Sequence, residues 1–193
     1  MKTIQLTPSC KDYLWGGEKL RTEYGIQSEL HPLSEAWMLS CHPDGPSYLP
    51  DGSTFQQYIN THPGCLGTHC EKFSEFPVLA KLIDAKKDLS IQVHPSNEYA
   101  LEHEHQYGKT EMWYVLDCEP GAFLYYGFDH EISREELEER IRNNTLTEVL
   151  NAVPVKKGDC FFIPSGTLHA ICKGVVVVEV QQNSNVTYRV YDY

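Results

Sequence analysis

The 193-residue sequence predicts one all-β domain, an antiparallel sandwich or barrel carrying a small helical insert. Three observations predict it. Short runs of β-branched and aromatic residues recur from residue 76 to the end, bounded by Gly, Pro and Asn/Asp turns. Helical signatures cluster rather than alternate with the strands, so a parallel α/β sheet is not expected. The length suits one domain with its own core, without disulfide or metal staples.

The elements follow in order. Residues 1–53 are rich in Pro and Gly and supply covering loops, with a strand candidate at Glu35–Ser40. Thr54–His62 reads as a short helix capped by Ser53 or Thr54, and another short helical stretch precedes Pro77. Strands are expected at 79–85, 88–94, 109–117 and 122–128. Ser133–Glu136 has the form of a capping box opening a helix to Asn143, with Ile132, Leu137 and Ile141 as its apolar stripe. Residues 145–151 add a further turn or two. Strands then resume at 153–155, 159–163, 169–171, 175–181 and 186–191.

Composition narrows the function. With 27 acidic and 16 basic residues the net charge is −11, which disfavours a nucleic-acid partner. No apolar run approaches a membrane span, and the N-terminus lacks a signal-peptide core, so a cytoplasmic protein is expected. Seven cysteines without a C-x-x-C pair read as reduced, mostly buried thiols.

Two candidate strands carry chemistry. In Asp88–His94 the period of two puts Leu89, Ile91 and Val93 on one face and Ser90, Gln92 and His94 on the other. Residues two apart on a strand stand about 6.6 Å apart on the same face, so two donors there can lean toward one ion. On a helix they would diverge by roughly 200°. In the next strand Lys109, Glu111, Trp113 and Val115 share a face. An inward carboxylate and ammonium are costly to bury without partners, and a metal and an anionic ligand would supply them. His103 and His105 are two apart but lie in a charged segment that reads as a solvated loop.

The run Gly158-Asp-Cys-Phe-Phe-Ile-Pro-Ser-Gly-Thr-Leu-His169 resembles the second motif of the cupin superfamily, although Lys173 stands where that motif often has asparagine. Gln92-x-His94-Pro, with its glutamate delayed to Glu111, resembles the first motif as it occurs in type I mannose-6-phosphate isomerases. Trp15-Gly-Gly17, Glu35-Ala-Trp37, His42-Pro-Asp-Gly45, 77–85, 89–95, 108–114 and 182–192 resemble the same family, in its order, especially its shorter bacterial branch. The resemblance implies a cupin jelly roll and a zinc-dependent enzyme interconverting mannose 6-phosphate and fructose 6-phosphate. It implies one zinc per chain, held by Gln92, His94, Glu111 and His169. It places Arg189 and Lys109 in catalysis, and Lys81 and Ser90 near the phosphate. Period-two alternation of Thr187, Arg189 and Tyr191 lets Arg189 face inward.

Two departures bear on this expectation. Asn185 replaces an acid common in that branch, and the chain stops where the family runs on into a second β-domain. The expectation is therefore a single cupin domain, residues 1–193, with a helical insert around 133–151 and without the C-terminal β-domain. A non-catalytic metal-binding cupin that binds or senses a sugar phosphate is the alternative. Other cupin enzymes are disfavoured by the glutamine among the ligands. The sequence leaves the oligomeric state open.

Overall fold

The computed structural model describes residues 3–73 and 75–193. Its eleven strands are β1 Ser9–Lys11, β2 Glu35–Leu39, β3 Val78–Ala85, β4 Ile91–Val93, β5 Glu111–Cys118, β6 Phe123–Phe128, β7 Leu150–Pro154, β8 Cys160–Ile163, β9 His169–Ile171, β10 Val175–Gln182 and β11 Tyr188–Tyr191. They form two antiparallel sheets, ordered β1-β2-β3-β10-β5-β8 and β11-β4-β9-β6-β7. This is the all-β sandwich the sequence predicted.

The helices are α1 Lys19–Thr22, α2 Phe55–Thr61, α3 Asn97–His103 and α4 Arg134–Arg142. Helix α2 is capped by Thr54, whose side chain accepts from Gln57 N while Gln57 returns the bond. In α4 only half of the predicted box forms. Ser133 accepts from Glu136 N, but the Glu136 carboxylate turns to Arg140 at i+4. Single 3₁₀ turns, Thr68–Cys70 and Leu146–Val149, stand where weak helical signals were read.

Two sequence expectations fail. The charged segment around His103 and His105, read as a solvated loop, begins inside a helix: α3, capped by Ser96, runs to His103, and only Ala100 of it is buried, so it has no apolar stripe to betray it. Residues 104–106 are turn and bend, and both histidines are exposed. The thiols are not mostly buried either. Only Cys172 is, while Cys65 and Cys160 are exposed, because Cys160 lies on the outer face of edge strand β8.

Strand β10 explains how the interior is divided. Val175, Val177, Glu179 and Gln181 alternate inward, pairing with β3 on one side and β5 on the other. Val177 stands opposite Ile83 and Val115, inside a core with Trp113, Leu124 and Ile171. Two residues further along the same face, Glu179 stands opposite Lys81 and Trp113, and Gln181 opposite Leu79 and Glu111. One end of the space between the sheets is therefore hydrocarbon and the other is charged. Fully burying each valine is worth about 1.5–3 kcal/mol, so the apolar end stabilises the sandwich that holds the charged end in place. Val176 faces outward and is covered by Leu20, Ile26 and Leu33 of the N-terminal segment. The outer face of the second sheet is covered by the 132–150 insert through Ile132, Leu137, Ile141 and Leu146.

Candidate metal centre

At the charged end, facing strands bring four donors together. Gln92 of β4 pairs with His169 of β9 and with Arg189 of β11, so the three share one sheet row. Glu111 projects from β5 in the opposite sheet. His94 lies just beyond β4, where Pro95 ends the strand. Its backbone carbonyl accepts from Gly166 N at 2.8 Å, so the turn of the second motif locks the end of the first. Gly166 has φ +86, a left-handed conformation suited to glycine.

The histidine tautomers are fixed by their outer partners. His94 Nδ1 lies 3.0 Å from the Val186 carbonyl and His169 Nδ1 lies 2.8 Å from the Thr167 carbonyl. A carbonyl only accepts, so each Nδ1 donates and, in the neutral ring, each Nε2 presents a lone pair. Those two Nε2 atoms approach the Glu111 carboxylate at 3.4 and 3.2 Å. Lys109 Nζ stands 3.0 Å from Glu111 Oε2, but off hydrogen-bond geometry. His94 Nε2 and both Glu111 oxygens are buried without a hydrogen-bond partner.

Nitrogen and oxygen lone pairs thus face one another in a dry site, with ligand atoms from His94, Glu111 and His169 all within 4.8 Å of one another. The Gln92 amide adjoins them, its Nε2 3.4 Å from His169 Nε2. Such an arrangement is repulsive unless a cation occupies its centre. Two imidazoles, a carboxylate and an amide suit a mixed N/O-binding metal such as zinc. The residues fit the ion.

Electrostatics agree. Burial pushes Glu111 up, but the Lys109 ammonium overcomes it and the carboxyl is held well below its ordinary range. Burial, then the charge of Lys109, depresses the His94 imidazole from 6.5 to about 4. This histidine titrates lower in the fold than in the unfolded chain. Its contribution is therefore complete above pH 6.5 and is lost as pH falls toward 4. Metal-free protein is expected to lose on the order of 3 kcal/mol over that window. The loss should already show between pH 6.5 and 4.5, before most carboxylates protonate. Melts of chelator-treated protein will show it, and a flat profile in that range would contradict the assignment.

A cavity of about 570 Å³ adjoins this cluster through Gln92 and Lys109. Lys81, Ser90, Gln92, Lys109 and Arg189 all line it, Lys81 from the first sheet and Gln92 and Arg189 from the second. Lys109 precedes β5 rather than lying in it. Gly108 lets its backbone pack there, since a Cβ at that position would stand 2.4 Å from the Ser96 carbonyl carbon. Lys81 is mid-strand and buried, not a surface residue. Arg189 shares the inward row of Gln92, but its side chain is 66% exposed, so it stands at the cavity rim rather than within. A bulge after Arg189 breaks the expected alternation toward Tyr191.

The sequence reading missed two buried carboxylates on the cavity wall, Glu35 and Glu179. Trp113 Nε1 donates to Glu179 Oε2 at 2.8 Å and Trp37 Nε1 to Glu35 Oε2 at 2.6 Å. Burial and then the nearby Glu111 push the Glu179 carboxyl upward, against Lys109, Lys81 and Trp113. The available signal was the inward alternation of the valine strand, which places Glu179 on the face of Val175 and Val177.

Fold and site together define a cupin-like antiparallel sandwich in which buried His94, Glu111 and His169 could hold a metal ion beside a charged cavity. Comparison with known proteins narrows the class. Residues 3–120 match the family described as phosphomannose isomerase type I, catalytic domain. The chain belongs to that family. It is 45% identical over 193 residues to the probable mannose-6-phosphate isomerase GmuF of Bacillus subtilis, covering 97% of this chain and 60% of that protein. It is 44% identical over 184 residues to a mannose-6-phosphate isomerase of Streptococcus mutans, covering 93% and 57%. The crystal structure of the Bacillus subtilis mannose 6-phosphate isomerase superposes with a TM-score of 0.94 at 41% identity, over 100% of this chain and 62% of that one. The chain thus spans about 60% of the length of such relatives. Among the described residues no helix is long and apolar enough to cross a membrane.

Proposed function

We propose that this chain is a zinc-dependent aldose–ketose isomerase interconverting mannose 6-phosphate and fructose 6-phosphate. One zinc per chain would be held by Gln92, His94, Glu111 and His169. The observation that carries the proposal is the convergence of unpartnered lone pairs from His94 and Glu111 beside His169, at a cavity walled by Lys109 and Arg189. The relatives bear that activity in their names. The cupin unit of 1–193, with its insert around 133–151, would carry the whole donor set.

The reaction moves a proton between C1 and C2 through an enediol, and negative charge grows on O1 and O2. Zinc, when bound, supplies Lewis-acid stabilisation of that charge. The chain's own residues supply the rest. Lys109, buried at the end of the donor row, is placed to hold or deliver a proton near the reacting carbons. Arg189, at the rim beside Gln92, orients the sugar and stabilises oxygen charge as it develops. Lys81 and Ser90 both line the cavity and would face the phosphate. In a protein of net charge −11 long-range attraction of a phosphate is unfavourable, so these local cations must recruit it. No nucleic-acid or membrane partner enters this reading, which is that of a cytoplasmic metabolic enzyme.

A second reading, a metal-binding cupin that senses a sugar phosphate, draws on Asn185. Its amide donates to Asp44 Oδ2 at 3.1 Å and offers no ionisable group to the cavity. Metal analysis with a coupled mannose 6-phosphate to fructose 6-phosphate assay separates the two. The isomerase reading expects about one zinc per folded chain and turnover on the order of 1–1,000 per second, the usual range for enzymes. Bound zinc without turnover, in folded protein, would establish the sensor reading instead.

A further inference from the structure

The charged end of the sandwich contains more buried ions than a metal centre needs. On the inner face of the first sheet, carboxylates and ammonium groups alternate across adjacent strands. Lys81 Nζ stands 3.6 Å from Glu35 Oε2 and 3.4 Å from Glu179 Oε1. Lys109 Nζ stands 3.8 Å from Glu179 Oε1 and 3.0 Å from Glu111 Oε2. The order is therefore Glu35, Lys81, Glu179, Lys109, Glu111. Every member is at most 7% exposed. Register builds this row, because Trp37 lies opposite Lys81 and Lys81 opposite Glu179.

Glu35 and Glu179 are tethered differently from their lysines. Each has one oxygen fixed by a short bond from a tryptophan indole, whereas Lys81 and Lys109 hold Glu179 only through longer ion-pair contacts of 3.4 and 3.8 Å. Glu179 Oε1 has no hydrogen-bond partner. Its position between two lysines is consequently a balance of pulls rather than a fixed bond. Lys81 is restrained from the far side by the Glu35 charge and by the Trp37 ring, 4.6 Å below the ammonium. Without that restraint Lys81 would move onto Glu179, the nearer carboxylate.

We propose that Glu35 is a positioning residue that acts through Lys81: by sharing the Lys81 ammonium it keeps the Glu179 carboxylate poised against Lys109 beside the metal centre. The inference rests on the isomerase reading for its kinetic consequence but not for its structural one. Glu35→Gln tests it, because glutamine keeps an acceptor for the Trp37 indole and removes only the charge.

The experiment is a crystal structure and steady-state kinetics of zinc-loaded Glu35→Gln, Lys81→Met and the double variant. In Glu35→Gln, Lys81 should close on Glu179 to below about 3.0 Å, an ordinary charge-assisted bond, and Glu179 Oε1 should leave Lys109 altogether. Zinc content should not change. A misplacement of this size should lower kcat about 10- to 100-fold, with KM within about twofold. Glu35→Asp, which keeps the charge, should recover most of the loss. In the double variant the two effects should not add, because Glu35 acts only through Lys81. An unmoved Glu179 in Glu35→Gln overturns the proposal, and so do additive effects, which would make Glu35 a direct substrate contact. Should the wild-type chain bind zinc without isomerising, that failure belongs to the enzyme reading, and the Glu179 displacement decides the role of Glu35 alone.

Discussion

Replacing Glu111 with glutamine is expected to empty the protein of zinc. The carboxylate is the only anion in the donor set, is 1% exposed, and faces two imidazole lone pairs and the Lys109 ammonium. An amide there removes the charge that attracts the cation and leaves Lys109 with Glu179 at 3.8 Å as its nearest carboxylate. Losing an outer partner of a ligand already costs 10- to 100-fold in metal affinity, so losing a ligand charge should cost more than about 100-fold. Turnover should fall about a thousandfold or further. His169→Ala removes a neutral ligand instead and should also lose the ion, without creating an unpaired buried ammonium. Zinc measured after gel filtration checks both variants. Full occupancy in either, with a native melt, would refute the assignment.

Lys109→Met has the second largest expected effect, and it differs in kind. The ammonium lies between Glu111 and Glu179 and touches none of the four proposed donors except Glu111. Methionine fills similar space without charge, so the donor set survives and zinc should stay bound. What disappears is the group proposed to move a proton, a role worth about 10²–10⁴ in rate. The expected result is kcat down about a thousandfold with zinc retained. The Glu179 carboxyl, already pushed upward by burial and Glu111, loses one of its two cations and should hold its proton more firmly. A variant retaining more than about a tenth of wild-type kcat would exclude Lys109 from proton transfer.

Much of this site was legible in the sequence because β geometry is simple. Period two puts Gln92 on the face of His94, and Glu111 on the face of Lys109, Trp113 and Val115; that these strands and His169 and Arg189 meet at one site came from the family resemblance, not from spacing. What escaped was set by contacts between distant strands. Glu35 and Glu179 meet only through Lys81, on the strand between theirs, and nothing local in EAWML or VVVVEVQQ announces that pairing. The alternation from Arg189 to Tyr191 was broken by a bulge between them, and a bulge adds a residue without a sequence marker. The end of helix α3 was read as loop because its charged residues leave no apolar stripe. Glu136 satisfied the capping pattern but found a better partner in Arg140, a competition between local bonds that pattern alone does not resolve.

The central claim is that one buried donor set and its lysine row carry out a proton transfer on a phosphosugar. Proton NMR of mannose 6-phosphate in D₂O with the zinc-loaded 193-residue chain tests it most directly. Deuterium entering the sugar at C1 or C2 as fructose 6-phosphate forms, with both events abolished by a chelator, is the predicted result. Unchanged mannose 6-phosphate, with no deuterium incorporated although zinc is bound to folded protein, would contradict it.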